Sequence, residues 1–343
     1  MNGECMKIGY TGDLVLQGVE SFETSIFDDL CTYLSIEDIK LVVNLESAFI
    51  IPSSMSKIKN KVCLGAEKKT DIFLNKLNPF LANISNNHIN DYGTAGVNYT
   101  KSVLSDIGIP FFGAGKYDGK ENIHIDSSGI INISFTLRSS DQTGGILFAD
   151  KNIDGPYDLD LDQVRQVSRE YPLSTIIVSV HWGNEDFAIP DPDNVKIAHE
   201  IIDAGATLVI GHHPHIIQPI ENYNGKWIFY SLGNFFFPPI DFEYNGKIIH
   251  KKPALHQRQG LLPIFNYDSS SNELSLYKII KISIADDYKV VCSSLDKKIL
   301  IKNKFYYKLS KPLFFIKEKK RVTSYYLFRI KDEVKRCILF LKK

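Results

Sequence analysis

An α/β fold is predicted for this chain, with a parallel or mixed β-sheet whose strands are joined by crossover helices. Apolar, β-branched runs recur along the sequence, and segments with helical spacing follow several of them. Some of these runs end directly in side chains that can bind metal ions. Because ligands of α/β sheets bind just outside the carboxyl ends of strands, these observations place the chemistry at one edge of the sheet.

Three strands predicted in the N-terminal half end in polar residues. KIGYTGD ends in Asp13, although a Gly-Asp turn without a functional role would give the same pattern. IKLVV is followed by Asn44 and Glu46, which share one face of the strand because side chains alternate. FLANIS is followed at once by Asn87 and His88. A carboxylate that ends an apolar strand is costly unless it is paired or metal-bound, so Glu46 is a candidate ligand.

The next segments predict a helix, a hairpin and a loop. Residues 94–109 carry apolar side chains at helical spacing and close at Gly108, after which IPFFGAG is the next strand. IHIDSSGIINISFTL predicts a hairpin with its turn at residues 127–129. The polar loop RSSDQTGG, residues 138–145, is a candidate active-site flap because irregular loops often carry function.

The densest group of histidines lies within residues 176–237. STIIVSV ends at His181, and LVIGHHPH places His212, His213 and His215 directly after another apolar run. Two buried strands are therefore expected to end in imidazoles, which makes this stretch the predicted chemical centre.

Two helices are predicted around these strands. Residues 158–171 form the first, and the second has Asp191 as its N-cap, Pro192 at its first position and Gly205 at its end. His199 lies inside the second helix and is interpreted as a packing or surface residue.

The strands after the histidines complete the predicted sheet. WIFYSLGNFFF predicts a last core strand with Gly233 and Asn234 at its end. Residues 238–259 show no clear period, which predicts a loop over the sheet edge. GLLPIFNY and ELSLYKIIKISI alternate as antiparallel strands joined at residues 268–272.

The net charge of zero conceals a basic tail. Residues 302–343 hold 14 lysines and arginines against 3 acidic residues, whereas residues 1–301 hold 26 against 37. Residues 325–341 predict a basic amphipathic helix, which could lie on an anionic membrane surface. The same pattern suits a helix that packs on its own domain or on a partner such as a membrane synthase. Two domains are expected, at residues 6–287 and, as a basic C-terminal extension, at residues 288–343.

The composition of the chain predicts its cellular compartment and argues against one class of partner. The five cysteines form no C-x-x-C pair, which argues against a thiolate zinc site and fits a reducing compartment. Neither a signal-peptide pattern nor the run of ~18–20 apolar residues that a membrane span needs is present. We therefore expect a cytoplasmic protein, with peripheral membrane attachment through the tail as a further option. Nucleic acid is not an expected partner, because the tail lacks aromatic-basic interleaving.

The strand-end residues combine carboxylate and amide oxygens with imidazoles and include no thiolate. This donor set suits one or two divalent ions, with Mn, Fe or Zn expected. Two such ions ~3.5–4 Å apart can hold a hydroxide and clamp the oxygens of a phosphoryl or acyl centre. A histidine outside the ligand set can act as a general acid. No nucleophile elbow, P-loop or dinucleotide fingerprint offers a competing chemistry.

Six motifs carry a resemblance to a known family. In chain order they are GYTGDLVLQG, VVNLESAF, ANISNNHINDYG, SVHWGNEDF, DAGATLVIGHHPHIIQPIE and YSLGNFFF. Together they resemble the CapA-type poly-γ-glutamate capsule-biosynthesis family, which belongs to the calcineurin-like metallophosphoesterase superfamily. The resemblance covers roughly residues 7–265. It implies a metallophosphoesterase-like four-layer sandwich, in which mixed β-sheets are flanked by helices and strand-end loops form the metal site.

The resemblance also implies roles for individual residues. The implied metal ligands are Asp13, Glu46, Asn87, His181, His213 and His215. His88 would be the general acid or transition-state donor, and Glu185 lines the site as a further catalytic candidate. Asn44 and Asn234 are the candidate substrate-binding residues.

Three positions depart from the superfamily or leave its roles open. Val15 stands where the superfamily has a histidine, and Glu46, with Asn44, stands where it has a bridging aspartate. His212 competes with His213 for one ligand position. The usual two-metal phosphodiesterase mechanism therefore does not follow automatically.

Two classes of function fit the sequence. The first is a divalent-metal-dependent hydrolase or transferase in the synthesis of a capsule or poly-γ-glutamate surface polymer, acting on a phosphoester or a γ-glutamyl/peptide-type bond. The second is a non-catalytic accessory subunit that binds the polymer or a membrane synthase. A nucleic-acid phosphodiesterase is disfavoured, since the basic tail stands apart from the site.

Overall fold

Two β-sheets packed face to face form the centre of the structure. The structure is a computed structural model and describes residues 5–294, except for residues 53, 59–60, 118–119, 142–144 and 245. Most of the predicted basic extension, including the helix predicted at residues 325–341, lies outside the described residues.

The first sheet has a parallel half and an antiparallel half. In sheet order its strands are β20 (Val290–Ser294), β19 (Glu273–Ile284), β18 (Gln259–Asp268), β1 (Cys5–Leu14), β2 (Ile39–Leu45), β5 (Leu81–Asn83) and β6 (Phe111–Phe112), with β15 (Asn234–Phe236) also paired to the end of β1. Strands β1, β2, β5, β6 and β15 are parallel, whereas β18 to β20 are antiparallel to their neighbours.

The second sheet is parallel at its centre and antiparallel at both edges. In sheet order its strands are β13 (Ile220–Tyr223), β14 (Lys226–Phe229), β12 (Leu208–His212), β11 (Thr175–His181), β9 (Ile130–Thr136) and β8 (Ile123–Ile125). The four inner strands run parallel, which places the ends of β11 and β12 side by side.

In the described part of the chain, five α-helices and three short strand pairs surround the sheets. The helices are α1 (Asp28–Ile36), α2 (Asp71–Leu77), α3 (Gly93–Asp106), α4 (Leu161–Glu170) and α5 (Pro192–Asp203). The pairs are β3 (Ala48–Ile50) with β4 (Gly65–Glu67), β7 (Ala114–Gly115) with β10 (Gly155–Pro156), and β16 (Ile240–Tyr244) with β17 (Lys247–Lys251). Within the described ranges, none of the helices is both long and apolar enough to cross a membrane.

Three apolar cores define four layers. Ile8 of β1 and Ile177 of β11 belong to the core between the two sheets. Leu74 of α2 belongs to a second core on the outer side of the first sheet. Val164 of α4 and Val178 of β11 belong to a third core on the outer side of the second sheet. The order helix, sheet, sheet, helix confirms the predicted four-layer α/β sandwich.

The segments with strong local signals form as predicted. The side chain of Asp191 accepts a hydrogen bond of 2.9 Å from the backbone N–H of Asp193, and Pro192 is the first residue of α5. Strands β8 and β9 form the predicted hairpin, and β18 pairs with β19 along its whole length. These elements formed as expected because caps, turns and alternation are local properties of the sequence.

Residues 227–237, predicted as one strand, instead divide between the two sheets. Strand β14 pairs with β12 as far as Phe229, and β15 pairs with β1 from Asn234 onward. Gly233 between them has a φ of +70°, a left-handed conformation that turns the chain from one sheet to the other. The prediction was wrong because the apolar run continues through this turn.

Residues 238–259, predicted as an irregular loop, contain the hairpin of β16 and β17. Five residue pairs hold the two strands together, from Ile240 with Lys251 to Tyr244 with Lys247. Most of the side chains of β17 are exposed, so the hairpin lacks the apolar alternation that would have predicted it.

Candidate metal centre

Strand ends from both sheets meet at one place. Asp13 lies near the end of β1, and Glu46 directly follows β2. His181 is the last residue of β11, while His213 and His215 follow β12. All five side chains are buried, with exposures between 0% and 4%. The site therefore sits at the carboxyl ends of the parallel strands, as the sequence predicted.

A close approach of two backbone segments positions Asp13. A Cβ atom on Gly12 would lie 2.1 Å from the carbonyl oxygen of Gly233, so only glycine fits there. The backbone N–H of Asp13 donates a hydrogen bond of 3.0 Å to the same oxygen. Asp13 is consequently held in register with Asn234 of β15.

The backbone at two histidines adopts an unusual conformation. His213 has a φ of +94° and His215 a φ of +58°, both in the left-handed region. Such conformations cost free energy in residues other than glycine, and they concentrate at functional sites. The backbone N–H of His213 also donates a 3.2 Å hydrogen bond to Oδ2 of Asp13, which fixes the turn against β1.

The buried side chains form two groups that share one carboxylate. Glu46, His181 and His213 bring their ligand atoms within 4.8 Å of one another, and so do Asp13, Glu46 and His215. Each group offers carboxylate oxygen together with imidazole nitrogen. Glu46 belongs to both groups, so its carboxylate would be available to an ion held by either of them.

The surroundings of the Glu46 carboxylate test whether a metal ion fits this site. Both of its carboxylate oxygens are buried and find no hydrogen-bond partner within the described part of the chain. Its Oε1 lies 3.4 Å from Nε2 of His181 and 3.6 Å from Nε2 of His215. Burial raises the pKa of Glu46 well above its usual value. Because a buried carboxylate without hydrogen bonds is costly, the side chain fits a site that receives a cation.

Burial favours the neutral form of two of the histidines by lowering their pKa values. Burial lowers the pKa of His181 well below its usual value, and burial lowers that of His213 to about 4. Neutral imidazole is the form that binds metal ions. Carboxylate oxygens and imidazoles without thiolate are compatible with divalent ions such as Mn, Fe or Zn.

Asn87 directs its amide oxygen toward the first group. Its Nδ2 donates a 3.2 Å hydrogen bond to the backbone oxygen of Ser140, and its Oδ1 lies 2.9 Å from Nε2 of His181. The contact with Ser140 therefore fixes which end of the amide faces the histidines. This placement suits the ligand role that the resemblance implies.

His88 lies on the wall of a cavity of about 310 Å³ beside these groups. Its Nδ1 lies 2.6 Å from Oδ2 of the buried Asp91, so Nε2 is the ring nitrogen left for a substrate. Oδ1 of Asp91 in turn lies 2.8 Å from Nζ of Lys61. Sequence reasoning missed both partners. Asp91 could have been found three residues after His88, whereas Lys61 stands in a lysine-rich loop without a pattern.

The two candidate substrate-binding asparagines lie behind the ligands. Asn44 donates a 2.8 Å hydrogen bond to Oδ1 of Asp13 and accepts one of 3.0 Å from Asn83. Oδ1 of Asn234 lies 3.0 Å from Nδ1 of His215. Each asparagine is 1% exposed. These contacts suit side chains that orient ligands rather than contact substrate, which differs from the expectation.

The cavity wall also contains Glu185, which the sequence proposed as a catalytic candidate. Its Oε2 lies 3.7 Å from Nζ of Lys251 on the β16–β17 hairpin. Both side chains line the cavity and are partly exposed, while Phe237 and Phe242 provide an apolar wall. This position suits contact with a substrate more than a place among the ligands.

The contacts of His212 and His199 distinguish these two residues from the candidate ligands. Nδ1 of His212 lies 3.2 Å from Oδ1 of Asp13, whereas His213 joins Glu46 and His181, so the geometry favours His213 for the contested ligand position. His199 lies in α5, where its ring stacks on Tyr223 at a centroid distance of 3.9 Å. Its contacts suit the packing role expected from the sequence.

The four-layer α/β sandwich, with imidazoles, carboxylates and an amide at its strand ends, agrees with the architecture that the resemblance implies. Residues 7–239 match the family described as "Bacterial capsule synthesis protein PGA_cap". The chain belongs to this family, which confirms the resemblance carried by the six motifs.

Named relatives agree with this family. PGA biosynthesis protein CapA of Bacillus subtilis (strain 168) is 31% identical over 200 residues, which are 57% of this chain and 52% of that protein. Capsule biosynthesis protein CapA of Bacillus anthracis is 28% identical over 264 residues, which are 74% of this chain and 59% of that protein. The chain thus spans between half and three fifths of the length of these curated relatives.

One of the solved structures that match the chain is the crystal structure of a novel phosphatase from Mycoplasma pneumoniae. It has a TM-score of 0.49 and 11% sequence identity, and the match covers 89% of this chain and 99% of that one.

Proposed function

We propose that this chain is a divalent-metal-dependent hydrolase or transferase in the synthesis of a capsule or poly-γ-glutamate surface polymer. Its substrate would contain a phosphoester or a γ-glutamyl/peptide-type bond. The observation that carries the proposal is Glu46, a buried carboxylate without a hydrogen-bond partner in the described chain that belongs to two ligand groups. Membership of the capsule synthesis family supports the pathway.

The residues of the centre have different proposed roles, as metal ligands or as side chains that hold those ligands. The proposed metal ligands are Asp13, Glu46, Asn87, His181, His213 and His215. Bound there, one or two divalent ions would supply a hydroxide at neutral pH and neutralise charge on the reacting oxygens. Asn44 and Asn234 hold Asp13 and His215 in place through their hydrogen bonds.

His88 is the proposed general acid. Because its Nδ1 is engaged by Asp91, its Nε2 can give a proton to the oxygen or nitrogen of the leaving group. Glu185 and Lys251 stand at the cavity wall, where they would contact charged groups of the substrate.

A non-catalytic accessory subunit is the second candidate, and one observation favours it. Val15 is fully buried in an apolar cluster with Leu64 and Phe237, at the position where the resemblance places a histidine. The group of Asp13, Glu46 and His215 therefore has three protein ligands in its cluster. Three protein ligands and an open position are common in catalytic metal sites, so catalysis remains our first proposal.

Metal content and activity test the proposal together. The purified full chain should hold at least one divalent ion per molecule, and His181→Ala or His215→Ala should lose most of it. His199→Ala is the matched control, since it removes a partly buried histidine outside the centre and should keep the metal. Activity should appear on p-nitrophenyl phosphate esters or on a γ-glutamyl p-nitroanilide and should require His88.

The outcomes separate the two candidates. A chain without stoichiometric metal, whose role in cells survives both histidine substitutions, would be an accessory subunit. A metal-loaded chain that is silent on the phosphate esters but cleaves the γ-glutamyl compound would act on amide bonds.

A further inference from the structure

Lys61 is a buried lysine at the wall of the candidate centre. Its side chain is 4% exposed, and its Nζ lies 2.8 Å from Oδ1 of Asp91 and 3.6 Å from Oδ2 of Asp141. The same ammonium donates a hydrogen bond to the backbone oxygen of Asn87. A buried charge persists only when partners compensate for its lost hydration, and here three oxygens from two segments do so.

These contacts join three segments that are far apart in the sequence. Lys61 lies in the loop between β3 and β4, Asn87 and Asp91 lie in the turn after β5, and Asp141 lies in the predicted flap. The backbone N–H of Leu64 adds a 2.7 Å hydrogen bond to Oδ2 of Asp91. One side chain thus holds the turn that carries two candidate site residues.

The turn needs such support because its side chains face in two directions. The Nδ2 of Asn87 donates a hydrogen bond to the backbone oxygen of Ser140, and its Oδ1 faces His181. His88 faces the cavity with its ring held by Asp91. Both orientations depend on the backbone of the turn and on the carboxylate of Asp91, and Lys61 bonds to each of them.

We propose that Lys61 is a positioning residue, which fixes the Asn87–Asp91 turn so that the amide of Asn87 faces the metal centre and the ring of His88 faces the substrate. The effect on metal binding and catalysis rests on the proposed function. The effect on the turn itself does not.

The test compares three variants of the full chain. Lys61→Met removes the charge, Lys61→Arg keeps it, and Lys68→Met is the control, because Lys68 pairs with Asp106 at the exposed surface. Mn²⁺ binding is measured by titration calorimetry. Residues that support metal ligands typically change affinity by about 10- to 100-fold, so we expect a loss of that size in Lys61→Met. Lys61→Arg should recover most of the affinity, and Lys68→Met should match the original chain.

A second variant covers the case in which Lys61→Met does not fold, since that change leaves two buried carboxylates without their cation. Lys61→Met combined with Asp91→Asn removes a charge of each sign. It should fold, and its Mn²⁺ affinity should be as low as that of Lys61→Met. Any folded variant without Lys61 that binds Mn²⁺ within about twofold of the original chain overturns the proposal, given the ~10-fold minimum expected of a supporting residue.

Hydrogen exchange separates this proposal from the proposed function. Without added metal, the amides of residues 86–91 should exchange faster in Lys61→Met than in the original chain, and Lys68→Met should not change them. If the original chain binds none of Mn²⁺, Fe²⁺ and Zn²⁺, the metal-dependent function fails, and the exchange rates still decide the role of Lys61. Unchanged amide exchange at residues 86–91 in Lys61→Met overturns the positioning role of Lys61.

Discussion

Glu46 shows how one side chain can connect the two halves of a divided site. Strand β2 ends at Leu45, and the carboxylate of the next residue extends to within 3.4 Å of His181 and 3.6 Å of His215. His181 ends one strand of the second sheet and His215 follows another, whereas Glu46 follows a strand of the first sheet. A glutamate carries its carboxylate one methylene further than an aspartate, and this reach suits a position between both groups.

Cys63 gives a prediction at the same scale. Its thiol is 4% exposed, and burial together with the charge of Asp91 raises its pKa to about 12. Since the thiolate is the reactive form, iodoacetamide at pH 8 should alkylate the exposed Cys5 in the folded protein and leave Cys63 unmodified. Peptide mass mapping measures both sites, and unfolding in urea should equalise them. Alkylation of Cys63 at the rate of Cys5 before unfolding would contradict the expected burial.

Helix α5 offers a test at the scale of an element. Oδ1 of Asp191 accepts a 2.9 Å hydrogen bond from the backbone N–H of Asp193. Asp191→Ala should lower the free energy of unfolding by about 1 kcal/mol, the usual loss when an N-cap is removed. Asp193→Ala removes the same charge two residues later, inside the first turn of the helix. It should cost only about 0.3–0.5 kcal/mol, because it removes only the interaction with the helix dipole. Urea denaturation measures both, and equal losses would show that the cap contributes nothing specific.

The crossing between the sheets depends on Gly233. Its φ is +70°, and an added Cβ would lie 2.5 Å from the backbone oxygen of Gln259. Gly225 also has a positive φ, of +81°, but an added Cβ there meets nothing within 4 Å in the described structure. Gly225→Ala should therefore cost only the left-handed strain, about 1 kcal/mol.

Gly233→Ala adds a backbone collision to that strain, and overpacking of this kind costs about a further 1–3 kcal/mol. The comparison of the two variants by chemical denaturation isolates the collision, because the strain is common to both. Similar losses in the two variants would mean that the segment around Gly233 can move without penalty.

At the scale of the whole molecule, the centre joins the two sheets, so metal binding should stabilise the entire sandwich. A ligand that binds only the folded state at about 100 times its Kd adds about 2.7 kcal/mol to the free energy of unfolding. Saturating Mn²⁺ should therefore raise the Tm by several degrees in a thermal scan. His181→Ala should abolish the rise, and His199→Ala should retain it. An unchanged Tm in the original chain would argue against Mn²⁺ binding at this centre.

Much of this architecture could be predicted because its signals are local. Asp191 and Pro192 predict the start of α5, and β11 and β12, which lead to candidate histidine ligands, are largely apolar runs. The same logic brought Asp13 and Glu46 together, since the carboxyl ends of neighbouring parallel strands must lie together, whereas His181 joins them from the second sheet.

The rest depends on contacts that only the folded chain creates. Whether Asn44 faces substrate or supports Asp13 is decided by Asn83, which no local pattern connects to it. Lys61 carries no signal because its partners follow it by some 26 to 80 residues. Helices α1 and α2 are short, with nine and seven residues, so their apolar period was too weak to recognise.

Strand β1 has a consequence for the order in which the protein is made. It is made before the other strands described here, yet Cys5 pairs with Asp268, Gly9 with Ile264 and Asp13 with Asn234, all more than two hundred residues later. Pairings so distant in the chain form late, because a long loop must close before they gain anything. A nascent chain that has reached residue 230 already contains every proposed ligand. It still lacks the strands at residues 234–236 and 259–268 that pair with β1, so competence to bind metal should arrive only after both have been made.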